Sequence, residues 1–211
     1  MKIGAEVVVE VDGKEVWRGP SKSFVVNLAK VLLGMLKAPG GAPAGVSALI
    51  ASETVTAPDA SSKTIWTEWY ASDTQFAAGG TTLAINAPDN DASYGIVVGS
   101  GSTPVSPTDC NLASKISHGT GAGQLDYEPQ TVKSSYSDTS SYVEISRAFI
   151  NRSGGDVVVR EVGLIGRNYW AYEKGVLNDV KFLIARDVLP NPILIPNLAS
   201  LTVRYRISLS L

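Results

Sequence analysis

The sequence predicts an all-β fold: an antiparallel β-sandwich of jelly-roll type with one amphipathic helix near its N-terminus. Three observations predict it. Short segments of alternating apolar and polar residues recur along the chain, punctuated by turn-forming clusters. Asp12-Gly13, a dipeptide that tolerates the positive φ angles of a tight turn, joins the first two of these segments. Residues 200–210 alternate throughout, so a one-residue slip would turn every apolar side chain into water. The chain of 211 residues reads as a single domain. Within it, 1–37 form a hairpin plus helix, 38–62 a long surface excursion, and 63–211 the main sandwich.

Taken in order, Val7, Val9 and Val11 share one face of a first strand, and Lys14 to Arg18 return as its partner. Ser21 or Ser23 is placed to cap a helix over 22–37, because a side-chain oxygen there meets a free backbone N–H. Phe24, Leu28, Val31, Leu32 and Met35 form its apolar stripe, with Lys22, Lys30 and Lys37 off it. Pro39-Gly40-Gly41 ends it. A membrane-surface anchor would want more cations opposite the stripe, so the helix is expected to pack on the sheet. Residues 38–62 are rich in Ala, Pro, Gly, Ser and Thr, with one short strand near 46–55. Strands are then expected at 63–70, 81–86, 93–99, 124–133, 141–150, 156–165, 180–187 and 200–210. Turn clusters such as Ala87-Pro88-Asp89-Asn90 and Arg152-Ser153-Gly154-Gly155 separate them. Strands this short and this closely spaced argue for a sandwich or barrel.

Composition narrows the function. Charged residues are 18% of the chain, against about 25% in ordinary soluble domains. A surface of small polar groups costs little to desolvate, which suits burial against neighbours. Net charge is −2, and Lys and Arg form no basic stripe, so no nucleic-acid partner is expected. The longest apolar stretch, 24–36, is shorter than the roughly 20 residues that span a bilayer, so no membrane partner is expected. The one cysteine, Cys110, supports neither an internal disulfide nor a multi-cysteine metal site. The opening Met1-Lys2-Ile3-Gly4-Ala5-Glu6 lacks the apolar core of a secretory signal, so the product is expected to stay in the cytoplasm that makes it until it assembles.

Residues that carry chemistry elsewhere are weak here. His118 is the only histidine, and without a Gly-x-Ser-x-Gly elbow it reads as a polar loop residue. Gly119, Gly121 and Gly123 beside it lack the Lys-Ser/Thr ending of a phosphate-binding loop. Asp89-Asn90-Asp91 offers oxygen ligands to Ca²⁺, but Tyr94 stands where an EF-hand needs glycine, so a turn is expected. Trp66, Trp69, Tyr70 and Phe76 offer rings either to a core or to a host-surface glycan. Tyr169, Trp170 and Tyr172 form a smaller group, expected in a loop before 180. Asn151-Arg152-Ser153 matches a glycosylation acceptor and is read as a turn. No catalytic, cofactor-binding or metal residue is assigned and no cofactor is expected. Paired hydrolytic carboxylates cannot be picked from linear spacing.

Several segments in series carry a resemblance. Gly95-Ile96-Val97-Val98-Gly99-Ser100-Gly101 precedes Asp109-Cys110-Asn111-Leu112. Arg147-Ala148-Phe149-Ile150-Asn151 follows, then Glu161-Val162-Gly163-Leu164, then Ala185-Arg186-Asp187-Val188, and finally Pro196-Asn197 before the last strand. Over residues 90–211 this order resembles structural proteins of the virions of tailed bacterial and archaeal viruses. The resemblance implies a non-enzymatic virion component of a tail or capsid surface. Its partners would be copies of itself and other virion proteins, and no functional residue carries over. The chain departs from the pattern at Leu198, where Pro-Asn-Gly is expected; a leucine there must adopt a conformation that glycine takes more easily. A carbohydrate- or receptor-binding module of a virion fibre, and a cellular filament or surface-layer subunit, are the alternative readings.

Overall fold

The computed structural model describes residues 2–21, 23–37, 52–66, 80–137, 140–171 and 177–210. It is mostly β, with 58% of the described residues in strands, in antiparallel sheets, and one short helix among them. The all-β expectation therefore holds.

Strand β1 (Lys2–Val11) and β2 (Lys14–Pro20) form the N-terminal hairpin. Asp12 (φ 48°) and Gly13 (φ 75°) both take positive φ, as the two-residue turn requires. The Asp12 carboxylate also accepts the Ser200 backbone N–H at 2.8 Å, tying the turn to the far end of the sequence. Val9 faces Trp17 while Glu10 faces Glu15, so Val16 is the extra residue of a bulge.

The helix α1 spans Val26–Lys37, four residues shorter at its start than expected, and neither serine caps it. The Ser21 hydroxyl is drawn instead to Asp187 at 2.9 Å, and the Ser23 carbonyl accepts the Arg186 N–H. Phe24 lies before the helix in an isolated bridge to Ala185. The free Val26 N–H is satisfied by the Pro107 carbonyl. The inward stripe keeps Val31, as expected, but differs elsewhere: Asn27 is buried, whereas Leu32 is exposed. Asn27 faces inward because its amide copies a strand edge. It donates to the Thr56 carbonyl at 2.9 Å and accepts the Thr56 N–H at 3.0 Å. Those bonds dock the hairpin of β3 (Ser52–Thr56) and β4 (Ser62–Trp66) onto the helix.

The remaining strands are β5 (Gly80–Ala84), β6 (Gly95–Gly99), β7 (Asp126–Tyr127), β8 (Thr131–Tyr136), β9 (Ser140–Ile150), β10 (Val157–Ala171), β11 (Leu177–Ile195) and β12 (Ser200–Ser210). One sheet runs β2-β1-β12-β9, with β7 and β8 on the far side of β9. The other runs β11-β10, with β5 and β6 sharing the far side of β10. The first and last strands of the chain are thus neighbours, paired over ten positions from Lys2↔Ser210 to Val11↔Leu201.

Three boundaries differ from expectation for identifiable reasons. The single strand expected at 124–133 is two, because Glu128-Pro129-Gln130 steps aside: Pro129 has no N–H to give a ladder, and the Glu128 carbonyl turns to Arg147. β10 runs on through Tyr169 and Trp170, which pair with Asp179 and Asn178, so these aromatic residues lie in a strand, not a loop. β11 continues past 187 through Pro190 and Pro192; both are tolerated because β11 is an edge strand and the pairing skips from Val188 to Ile193.

Both sheets turn apolar side chains into one contiguous core. Val7, Val9, Ile145, Phe149, Leu201, Val203 and Tyr205 come from the first sheet. Ile96, Val98, Val159, Val162, Leu164, Phe182 and Ile184 come from the second. Along β12 the alternation read from sequence is kept, with Leu201, Val203 and Tyr205 buried and Thr202, Arg204 and Arg206 on the other face.

Candidate functional site

The ionisable residues inside this fold are the place to look for chemistry, since burying a charge is costly unless it is paired and hydrogen-bonded. Among the described residues the buried acidic and basic side chains are Arg147, Glu161, Arg186 and Asp187, and all four belong to the segments that carry the resemblance.

Arg147 extends from β9 and spends its donors on main-chain carbonyls. Nε reaches Glu128 (2.8 Å), Nη1 reaches Tyr94 and Ile96 (3.3 and 3.2 Å), and Nη2 reaches Pro88 and Asp91 (3.0 and 2.7 Å). Its guanidinium also lies 4.8 Å from the Tyr127 ring centre. Burial lowers its pKa from the ordinary value, while Tyr127, Asp91 and Asp89 oppose that shift. The Asp89-Asn90-Asp91 segment is a turn around this cation. Asn90 takes φ 62°, and the Asp91 carboxylate accepts the Ser93 N–H at 2.7 Å. Among the described residues no cluster of three or more His, Cys, Asp or Glu side chains is placed to hold a metal ion.

Glu161 and Arg186 form the second centre. Arg186 Nε lies 2.7 Å from Glu161, Nη1 lies 2.8 Å from Asp109, and Nη2 donates to the Thr103 carbonyl at 2.9 Å. Burial works against the Arg186 charge, but the two carboxylates outweigh it and raise its pKa. Glu161 also accepts the backbone N–H groups of Gly101, Ala113 and Ser114. The long loop between β6 and β7 is thereby strapped to β10 and β11 by one carboxylate. Gly99 and Gly101 approach so closely that an added Cβ would meet Glu161 Oε1 at 2.6 and 2.5 Å. That explains glycine at both positions of the Gly-Ser-Gly turn.

Asp187 accepts hydroxyl hydrogen bonds from Ser21 (2.9 Å) and Tyr205 (3.2 Å), joining β11 to the first sheet. Asn151 is fully buried and donates to the carbonyls of Gly155 and Ile195, both at 2.8 Å. Its Oδ1 accepts the Ser153 hydroxyl and N–H, so the glycosylation-like triplet is a closed turn with its amide already used.

His118 is half-buried, and its Nδ1 accepts the Tyr127 N–H at 3.2 Å. Asp126, 3.5 Å from that nitrogen, pairs with Arg152. A nitrogen already accepting a main-chain bond is not poised to take a proton from a nucleophile. Trp69, Tyr70, Phe76 and Tyr172 lie outside the described residues, as does the side chain of Trp66.

Tyr127 and Tyr205 give a test of this buried polar layer. Burial pushes the Tyr127 phenol up to about 12, and burial together with Asp187 raises Tyr205 well above its ordinary value. An unfolded tyrosine ionises near 10, so below pH 10 the neutral phenols add no pH dependence. Above it the unfolded state loses protons first, and stability is expected to fall by about 1.4 kcal/mol per pH unit for each phenol. Chemical denaturation between pH 9 and 11.5 checks this; a slope that Tyr127→Phe leaves unchanged counts against that residue's share.

The surface divides into two kinds. Across the outward face of the first sheet, ion pairs run from strand to strand. Arg18 pairs with Glu6 (3.0 Å), Arg206 with Glu6 (3.6 Å) and Glu144 (2.6 Å), and Arg204 with Glu10. At one end of the molecule lies an apolar groove of about 390 Å³ between the β1-β2 hairpin and the last turn of β11. Val11, Val16, Trp17, Pro192, Leu194 and Pro196 are among its walls. Next to it the turn at 196–199 holds Leu198, 77% exposed, at φ 71°. Leu198 therefore holds a strained backbone; a left-handed non-glycine residue costs about 1–2 kcal/mol.

No family model, no curated protein and no solved structure matches this chain. No helix among the described residues is long and apolar enough to cross a membrane. Sequence reasoning missed the apolar groove, because its walls come from three separate stretches. It also passed over the buried charges as members of a pattern. The signal available was charge inside largely apolar strands, as with Arg160-Glu161 between Val159 and Val162.

Proposed function

We propose that the chain is a non-enzymatic structural protein of a tailed-virus virion, self-assembling on or decorating a tail or capsid surface. One observation carries this reading. Five polar members of the resembling segments, Arg147, Asn151, Glu161, Arg186 and Asp187, are buried and bonded into loop anchors. Anchoring long loops in fixed positions is what a subunit needs when its loops meet neighbours. A catalytic group needs access to substrate, which these side chains lack. The reading includes a β-sandwich of jelly-roll type, supported by two antiparallel sheets that feed one core. Its partners are copies of itself and other virion proteins, and its place is the virion.

The test is the mass of the full-length protein by light scattering from micromolar to millimolar concentration, with negative-stain images of the same samples. Rings, tubes or a fixed multimer are expected. A monomer throughout overturns self-assembly.

A further inference from the structure

We infer that the apolar groove beside β2 is a contact between two copies of this chain, with Leu198 of each copy seated in the groove of the other. This names the partner surface of the assembly reading and rests on it.

The first support is Leu198 itself. A strained backbone is retained only where its surroundings over-determine it, and such outliers point to function. Here the Leu198 N–H donates to the Asn151 carbonyl at 2.7 Å, and the Ala199 N–H closes the turn on Pro196 at 3.0 Å. The result is a rigid mount for a leucine side chain that touches little of its own molecule. Glycine would relieve the strain, and a polar residue would relieve the exposure. Neither folding nor solubility accounts for leucine.

The second support is the receptor. The groove begins at Pro196, two residues from Leu198, and its lining contains no ionisable side chain. Val16 and Leu194 on its walls are themselves 48% and 52% exposed. At about 390 Å³ it has ample room for a leucine, since a cavity of roughly 150 Å³ takes benzene. Knob and receptor adjoin on one patch, so a twofold axis satisfies both at once, as an isologous contact demands.

Charge at the rims agrees. Lys14 pairs across from Val11 on the hairpin side. Asp156 precedes Val157, which pairs with Ile195 on the Leu198 side. Both are exposed, and neither forms an ion pair among the described residues. A twofold contact sets each Lys14 toward the partner's Asp156. Strand addition at β2 is disfavoured, because Val16 bulges from that edge and bulges blunt pairing. The contact is therefore one of side chains.

Sedimentation equilibrium of the full chain tests this with four variants. Wild type is expected to form a dimer or an even multiple of it. Leu198→Asp is expected to weaken the contact at least tenfold. Leu198→Gly is expected to weaken it similarly while raising the melting temperature of the dilute monomer by about 1–3 °C, which separates loss of contact from loss of fold. Lys14→Glu is expected to weaken it, and adding Asp156→Lys to restore it. An oligomer that both Leu198 variants leave intact overturns this contact but not assembly. A wild-type monomer at every concentration overturns both.

Discussion

Replacing Arg147 with methionine is expected to cost about 4–5 kcal/mol, the range reached when a buried hydrogen-bond network is broken. The guanidinium serves five carbonyls from three stretches of chain, at Pro88, Asp91, Tyr94, Ile96 and Glu128. Methionine keeps much of the packing on Tyr127 and Phe149 but supplies no donor. The buried Tyr94 and Ile96 carbonyls cost about 1–3 kcal/mol each when left unmet, and the three part-buried carbonyls add less. Lysine at 147 should recover only part of it, since a single ammonium has three donors and no planar fork. Guanidinium titration of wild type, Arg147→Met and Arg147→Lys measures the series. Hydrogen exchange should show residues 88–96 opening first in both variants. A loss below about 1 kcal/mol in Arg147→Met would mean that water replaces the side chain and that the loop holds its own shape.

The contrast between Arg147 and β12 shows what was legible in the sequence. In β12 each side chain's destination follows from period two alone, and Leu201, Val203 and Tyr205 go where alternation sends them. The same holds for Asp12-Gly13, whose positive φ values are a local property. The start of α1 was not legible in this way. Ser21 and Ser23 are both sound caps by local rules, but Asp187, 166 residues on, takes the Ser21 hydroxyl. Likewise the break after Tyr127 is marked locally by Pro129, but the Arg147 guanidinium that takes the Glu128 carbonyl lies in no window around residue 128. Leu198 is the intermediate case: its unusual conformation was legible as a leucine where Pro-Asn-Gly is expected, while the meeting of Pro196 with Val16 and Trp17 along one groove was not. Local rules fail here where a distant side chain competes for a backbone group, and those positions coincide with the buried polar anchors.

Removing one partner of the Glu161–Arg186 pair is expected to cost about 3–5 kcal/mol, because the survivor remains charged in the interior. The two single variants should differ in kind. Arg186→Met leaves Glu161 with its three backbone donors at Gly101, Ala113 and Ser114, so the loop stays strapped although a carboxylate has lost its cation. Glu161→Leu frees those three N–H groups, yet Arg186 keeps Asp109 at 2.8 Å. Glu161→Leu should therefore loosen residues 100–116 in hydrogen exchange more than Arg186→Met does, at similar global cost. The double variant should cost less than the sum of the two by more than about 1 kcal/mol, as expected for residues in one network. It should not return to wild type, because the three N–H groups and Asp109 then lack their buried partners. Additive losses would mean that the two side chains act through separate contacts and that the strap is not a single unit. Since the Val26 N–H at the start of α1 donates to the Pro107 carbonyl on the same loop, loosening should spread to the helix start and leave the β1–β12 pairing intact.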